Sequence, residues 1–491
     1  MHSKKIQNIP NASTLINSMR SIGYDFESAV SDIIDNSLTA KAKKIDIFYP
    51  IGDKFDLFLE ICDDGIGMNR DELIEAMRFG TNKLVERTRD DLGRFGLGLK
   101  TASISQARKF SVISKKEGVV NAFSWDLDEV EKSSLWEMIE LDETSIKDIP
   151  NIFNYMNLDS FTIVHWTKLD KIETDVSLIN NIQDVFLRKV TSTENHVSLV
   201  FHRFIEEGIV IRFNNKAIEP IDPFLSRHVK TITKAEQVIN TKTSNNLNEK
   251  VTMQVFVLPY HKDLDSNDYK KLGGVENADN QGFYIYRNKR LMIYGTWFRI
   301  KQKGDLSKNA RIKVDIPNTL DDLWSIDIKK QHAKIPAALL EQLRGEVSDA
   351  VERSRRMHEY KGTIQTKNDS VWSKTTNKRD NSVIYEINKE SSIIKNLFNG
   401  LEDKQINQVN RIIEMIQLSL PYKDIYNSVA DKKEINTLDE NKKNNLINQA
   451  ISLYKDFKET RNMSKEKIIE HICSYEPFRS ANIIEELKVK I

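Results

Sequence analysis

Apolar residues recur with helical spacing at Ala29, Ile33, Ile34 and Leu38, so residues 26–42 are predicted to form a helix with one buried face. A shorter amphipathic helix is predicted before it, over residues 15–22, closed by Gly23. Residues 44–49 and 55–62 alternate or run apolar and read as two strands leading into Asp63. A helix follows over 71–79. Residues 83–91 are polar and charged, 110–114 with 119–125 read as a hairpin, and 161–166 as a further strand. After a helix near 180–191, a second unit is expected from about residue 197, with strands over 197–201, 209–213, 251–258, 282–287 and 290–294. Asn288-Lys289 marks a tight hairpin turn between the last two. Residues 235–250 are mostly polar and read as a flexible loop. An amphipathic helix is predicted over 338–356 and a polar loop over 362–380. The tail from 384 to 491 reads as several helices, with starts near Asp403, Asp439 and Ser464.

Three short runs interrupt this pattern: Asp32-Ile33-Ile34-Asp35-Asn36-Ser37, then Asp63-Asp64-Gly65-Ile66-Gly67-Met68, then Gly93-Arg94-Phe95-Gly96-Leu97-Gly98-Leu99-Lys100-Thr101. Asp32 and Asn36 lie at i and i+4, one turn apart on one helix face. A carboxylate there can take the proton of a water, and a neutral amide oxygen can hold Mg²⁺ against phosphates. Asp63 suits the exocyclic amine of adenine, because a carboxylate accepts that hydrogen bond and repels the guanine carbonyl. Gly65 and Gly67 let the backbone lie close to a flat ring. The run from Gly93 to Gly98 opens a helix whose amide groups can hold phosphate oxygens, with Arg94 and Lys100 adding charge. Each run alone has a plain reading as a turn, a solvated helix face or a flexible loop. Together, in this order, they read as an ATP pocket.

The runs resemble the N-box, the D-x-G-x-G motif and the glycine-rich lid of the GHKL ATPases, the superfamily of gyrase B, the large heat-shock chaperones, histidine kinases and MutL. Its members bind ATP without a P-loop, and no G-x-x-x-x-G-K-[ST] occurs in this chain. Asn36-Ser37-Leu38-Thr39-Ala40 is similar to the MutL N-box, and Phe79-Gly80-Thr81-Asn82-Lys83 to the run before the lid in MORC ATPases. The resemblance implies an α+β fold, with a Bergerat-type α/β sandwich over 1–195 and an α/β transducer domain over 196–356; it does not reach the tail, which the residue pattern alone reads as a linker over 357–383 and a helical C-terminal interaction region over 384–491. It implies catalysis by Asp32, where most members carry Glu. A carboxylate one methylene shorter must sit closer to the water. Nucleotide contacts are implied for Asn36, Asp63, Gly65, Gly67, Met68, Thr81, Asn82, Lys83, Gly93, Arg94, Phe95, Gly96, Leu97, Gly98 and Lys100. Thr162 is a partial match to a strand threonine that works with the adenine-binding Asp, with Phe161 where the family carries Gly. The run from Phe283 to Leu291 resembles a transducer strand pair, whose charged cluster reads as a solvated hairpin tip or a DNA contact. The strand ending Lys329-Lys330 stands where such domains send a lysine to the γ-phosphate. Lys330 is the first candidate and Lys329 the second, and His332 reads as a polar neighbour.

The implied function is a Mg²⁺-dependent ATPase acting as an ATP-gated homodimeric clamp around DNA or a partner protein, with DNA the first candidate, nearest the bacterial MORC-like group, which is associated with defence or restriction-like systems. A nuclease or helicase is a candidate partner, and the N-terminal segment of such proteins crosses to a partner subunit. The alternatives are a chaperone-like ATPase on protein clients and a MutL-like repair adaptor. Composition changes little in this picture. The 491 residues exceed the single-domain range, and 73 basic against 72 acidic residues leave a net charge of +1. That balance excludes a protein basic all over but allows a local basic groove. Two distant cysteines, Cys62 and Cys473, imply no disulfide framework and fit a reducing cytoplasm. No signal-like or membrane-spanning run is apparent, so a cytoplasmic, membrane-free location is expected.

Overall fold

A computed structural model describes residues 10–21, 23–52, 56–79, 98–174, 181–243, 248–260, 263–272, 280–321, 323–324, 336–358, 371–376, 383–421, 425, 440–460, 463–474, 478 and 483–491. The chain divides into two compact units, Met1–Glu359 and Tyr360–Ile491.

In the first unit, helices α1 (Ala12–Arg20) and α2 (Phe26–Thr39) precede strands β1 (Lys44–Phe48) and β2 (Phe58–Asp63). Then come α3 (Arg70–Met77), α4 (Gly98–Gln106), β3 (Lys109–Lys116), β4 (Val119–Asp126), α5 (Leu127–Ser133), β5 (Ile139–Glu140), α6 (Glu143–Lys147), β6 (Phe161–Thr167), α7 (Asp170–Thr174), α8 (Ile182–Val200) and α9 (His202–Glu206). With β7 (Val210–Phe213) and β8 (Lys216–Ala217) these strands make one eight-stranded sheet, ordered β5-β4-β3-β6-β2-β1-β7-β8. All its pairings are antiparallel except β1 with β7.

Strand alternation assigns the faces. Leu59 and Ile61 of β2, Phe110 and Val112 of β3, and Val164 and Trp166 of β6 join the core beneath α1, α2, α4 and α8. Cys62, Ile113 and Ile163, one residue out of phase, pack on the opposite face against Ile146, Ile149 and Tyr155. By the same parity Asp63, Ser114 and Thr162 lie on the helix-covered face. The paired register puts them in one row across β2, β6 and β3, Asp63 opposite Thr162 and Thr162 opposite Ser114.

A second sheet, order β10-β11-β14-β12-β13 with β9 added on β11, is built from β9 (Ile232–Thr233), β10 (Gln237–Lys242), β11 (Asn248–Val257), β12 (Gly282–Arg287), β13 (Arg290–Thr296) and β14 (Ala310–Ile316). Helix α10 (Ser266–Lys271) lies between β11 and β12 in sequence, and α11 (Ala337–His358) packs Leu343, Val347 and Ala350 into this sheet's core. The second unit holds a hairpin of β15 (Trp372–Thr376) and β16 (Val383–Ile387), then α12 (Ser392–Phe398), α13 (Asp403–Leu418), α14 (Glu440–Thr460), α15 (Lys465–Ile472) and α16 (Ile484–Lys490). Ile447, Phe457, Ile469 and Leu487 form its core.

Four expectations change. Residues 372–376 and 383–387 pair as the β15–β16 hairpin where the pattern predicts a polar loop followed by helices. Residues 197–201 are not a strand: α8 runs through Val200, burying Val185, Phe186, Val190, Thr193 and Val197 at helical spacing. Strand β7 belongs to the first sheet, beside β1. Residues 237–242 and 248–257 pair as strands across the stretch read as a loop, and only Ile239 of β10 is buried, as suits a sheet edge. No helix among the described residues is long and apolar enough to cross a membrane.

Candidate functional site

Helix α2 is the element that places the candidate chemistry. Asp25 caps it, its carboxylate accepting from Ser28 N at 2.6 Å, and Ile33 and Ile34 anchor its apolar face. Asp32 is almost wholly buried and its Oδ2 accepts a 3.0 Å hydrogen bond from the Tyr24 hydroxyl. Asn36, one turn on, is exposed, and its side chain makes no hydrogen bond to any described residue. An exposed amide oxygen one turn from a carboxylate fits a neutral donor to a hard cation whose other ligands are phosphates and water. No cluster of three His, Cys, Asp or Glu side chains able to hold a metal by itself occurs among the described residues.

The second part is the row on the sheet. Asp63 is buried at the end of β2, where its Oδ2 accepts from Ser37 Oγ of α2 at 2.7 Å and its Oδ1 from Gly65 N at 3.0 Å. Burial pushes the Asp63 carboxyl up from 3.8 to about 6, against these hydrogen bonds, which favour the charged form. Ser114 Oγ accepts from Met68 N at 2.8 Å, donates to Phe161 O at 3.0 Å and lies 3.0 Å from Thr162 Oγ1. The loop after β2 is thereby pinned to β3 and β6. Its glycines are required by space. A Cβ on Gly65 would stand 2.8 Å from both Ala40 O and Asp63 Oδ1. Gly67 has φ +65° and a Cβ there would come within 1.9 Å of Lys115 O.

The third part is the start of α4. A Cβ on Gly98 would stand 3.7 Å from Asp32 Oδ2, so the first turn of α4 lies against the carboxylate on α2. Lys100, two residues on and about 200° round the helix axis, leaves on the opposite side. It is buried, donates to Arg78 O at 2.6 Å, and burial pushes its ammonium down to about 8 against the pull of Glu75. Thr81, Asn82, Lys83, Gly93, Arg94, Phe95, Gly96, Leu97, Lys329, Lys330 and His332 lie outside the described residues.

The structure thus brings Asp32, Asn36, Asp63, Gly65, Gly67, Met68, Gly98 and Thr162 around α2 and the end of β2. It adds three groups that sequence reasoning did not single out: Tyr24 on Asp32, Ser37 on Asp63, and Ser114 between Met68 and Thr162. Parity along β3 could have put Ser114 on the right face, but its alignment with Asp63 depends on register. The charged hairpin between β12 and β13 is also not a solvated tip. Arg287 and Arg290 are buried, and only Lys289, paired with Glu207 at 2.8 Å, stands half in solvent.

Residues 24–161 match the histidine kinase-, DNA gyrase B-, and HSP90-like ATPase family. The chain is 34% identical over 96 residues to the ATPase morc-1 of Caenorhabditis elegans, covering 19% of this chain and 11% of that protein. It is 29% identical over 113 residues to the human MORC family CW-type zinc finger protein 1, covering 23% and 12% respectively. The chain therefore spans only 11% and 12% of the length of these relatives. Among solved structures, the N-terminal domain of a DNA repair protein aligns over 70% of this chain and 98% of that one, at 16% identity and a TM-score of 0.42.

Proposed function

We propose, from the premise that residues 24–161 are a GHKL ATPase domain of the MORC type, that this chain binds ATP with Mg²⁺ and hydrolyses it. The observation that carries the reading is that one helix, α2, presents a buried carboxylate at the start of α4 and a hydroxyl to the buried Asp63. Base recognition and phosphate chemistry are thereby tied to the same rigid element. Asp63 accepts the adenine amine, with Thr162 and Ser114 holding its surroundings. Gly65 and Gly67 let the loop pack on Ala40 and Lys115, with its backbone beside the ring. The amides at the start of α4, with the run from Gly93 before them, hold the phosphates. Asp32 accepts a proton from a water as the water oxygen attacks the γ-phosphorus and the bond to the ADP oxygen breaks. The metal, held through Asn36, supplies positive charge to the phosphate oxygens. Lys330, with Lys329 as the second candidate, senses the γ-phosphate.

By its family the chain is read further as a clamp: ATP closes a homodimer around DNA and hydrolysis reopens it. The C-terminal helices are read as the contact for a partner, a nuclease or helicase in a defence or restriction-like system. The test is molecular mass in solution with no nucleotide, with ADP and with a non-hydrolysable ATP analogue, each with and without duplex DNA. Dimerisation on the analogue alone, with retention of DNA, is expected. A mass that never changes would overturn the clamp.

A further inference from the structure

The turn joining β12 to β13 has φ +46° at Asn288 and +71° at Lys289, the left-handed pair that a two-residue hairpin requires. It sets Arg287 and Arg290 opposite each other at the hairpin's end. Both side chains are buried, and each meets a carboxylate from a different element. Arg287 holds Asp321 with two hydrogen bonds, Nε to Oδ1 at 2.7 Å and Nη2 to Oδ2 at 2.8 Å. Arg290 reaches α2, its Nε 2.8 Å from Asp35 Oδ1 and 2.7 Å from Oδ2. Its Nη2 lies 4.0 Å from Asp32 Oδ1, too far for a hydrogen bond but close enough for a buried charge to be felt. The Phe201 ring, 5.6 Å from the guanidinium carbon, closes one side of it.

Asp32 and Asp35 are three residues apart on one helix, both buried, so their charges would repel in a medium that screens poorly. A planar guanidinium between them offsets that repulsion, and its rigid fork can address two carboxylates at once where an ammonium addresses one. A strut that served only to join the second sheet to α2 would need Asp35 alone. Here the same cation also faces Oδ1 of Asp32 while Tyr24 donates to Oδ2. One oxygen of the carboxylate is therefore hydrogen-bonded and the other faces a buried cation.

We propose that Arg290 is a positioning residue for hydrolysis: it orients Asp32 toward the attacking water and makes turnover depend on the seating of the β12–β13 hairpin against α2. The inference rests on the ATPase reading and extends it to a residue outside the family-matched segment. A neutral side chain of similar length, Arg290→Met, should slow kcat about 100-fold, within the range a general base contributes. The Kd for a non-hydrolysable ATP analogue should stay unchanged. Arg290→Lys, which keeps the charge but loses the fork, should slow kcat about tenfold, again at unchanged Kd. A wild-type kcat in Arg290→Met, or a loss explained wholly by weaker nucleotide binding, would overturn the proposal. If Arg290→Met does not melt cooperatively, Arg290→Lys decides: slowed turnover at unchanged Kd upholds the proposal, and a wild-type rate overturns it. Failure of the underlying reading is distinct, because the unsubstituted chain would then hydrolyse no ATP.

Discussion

Asp63→Asn separates what the Asp63 charge costs the empty protein from what it gives the nucleotide. Burial raises the carboxyl from 3.8 to about 6, and at 1.36 kcal/mol per pH unit the ionised form costs roughly 3 kcal/mol of stability at neutral pH. The cost is fully present above about pH 6 and disappears as the pH falls toward 3.8, where folded and unfolded forms are both protonated. Asparagine carries no such cost, and its amide oxygen can still accept from Ser37 or Gly65. The variant should therefore melt higher than the parent at pH 7.5, with the gain shrinking by pH 4.5. ATP binding should move the other way. Losing a hydrogen bond to a charged acceptor costs about 1.5–3 kcal/mol, a tenfold to hundredfold weaker Kd. In the parent, the adenine amine favours the ionised carboxylate, so ATP affinity should fall as pH drops through about 6. In the variant it should not. Thermal melts and calorimetric titrations at three pH values read both effects. A variant with parental ATP affinity, or a parent whose affinity is flat from pH 5 to 7.5, would refute the adenine assignment.

Asp32→Asn should abolish ATP turnover while a non-hydrolysable analogue binds with parental Kd; parental turnover would remove Asp32 as the base. Gly67→Ala meets Lys115 O at an impossible 1.9 Å and should lower stability by about 2 kcal/mol or more, read as a drop in Tm with loss of ATP binding. Ser114→Ala leaves Met68 N without its side-chain acceptor and should cost about 1–3 kcal/mol in chemical denaturation. Lys330→Ala should lower steady-state hydrolysis, whereas full activity would move the sensor to Lys329 or elsewhere.

Legibility followed locality. The i, i+4 pair on α2 and the β12–β13 turn are fixed by neighbours in sequence, and each lies where its local pattern put it, whereas the two glycines after β2 were legible as a motif although the space that requires them is set by the distant Ala40 and Lys115. Val197 to Phe201 misled because a short, mostly apolar run suits a strand, while the longer helical stripe from Val185 decides the outcome. The edge strand β10 has one buried residue, so no alternation betrayed it. Tyr24, Ser114 and Arg290 were illegible for another reason. Each acts on a site residue through tertiary contact or register, across 8, 46 and 255 positions of chain for the Asp32, Met68 and Asp35 bonds.

Equilibrium binding of ATP and of GTP to the unsubstituted chain, each with Mg²⁺, bears most directly on the ATP pocket. A carboxylate at the base site that accepts from adenine and repels guanine predicts ATP binding with GTP at least about tenfold weaker. No binding of ATP, or equal binding of the two, would contradict the account.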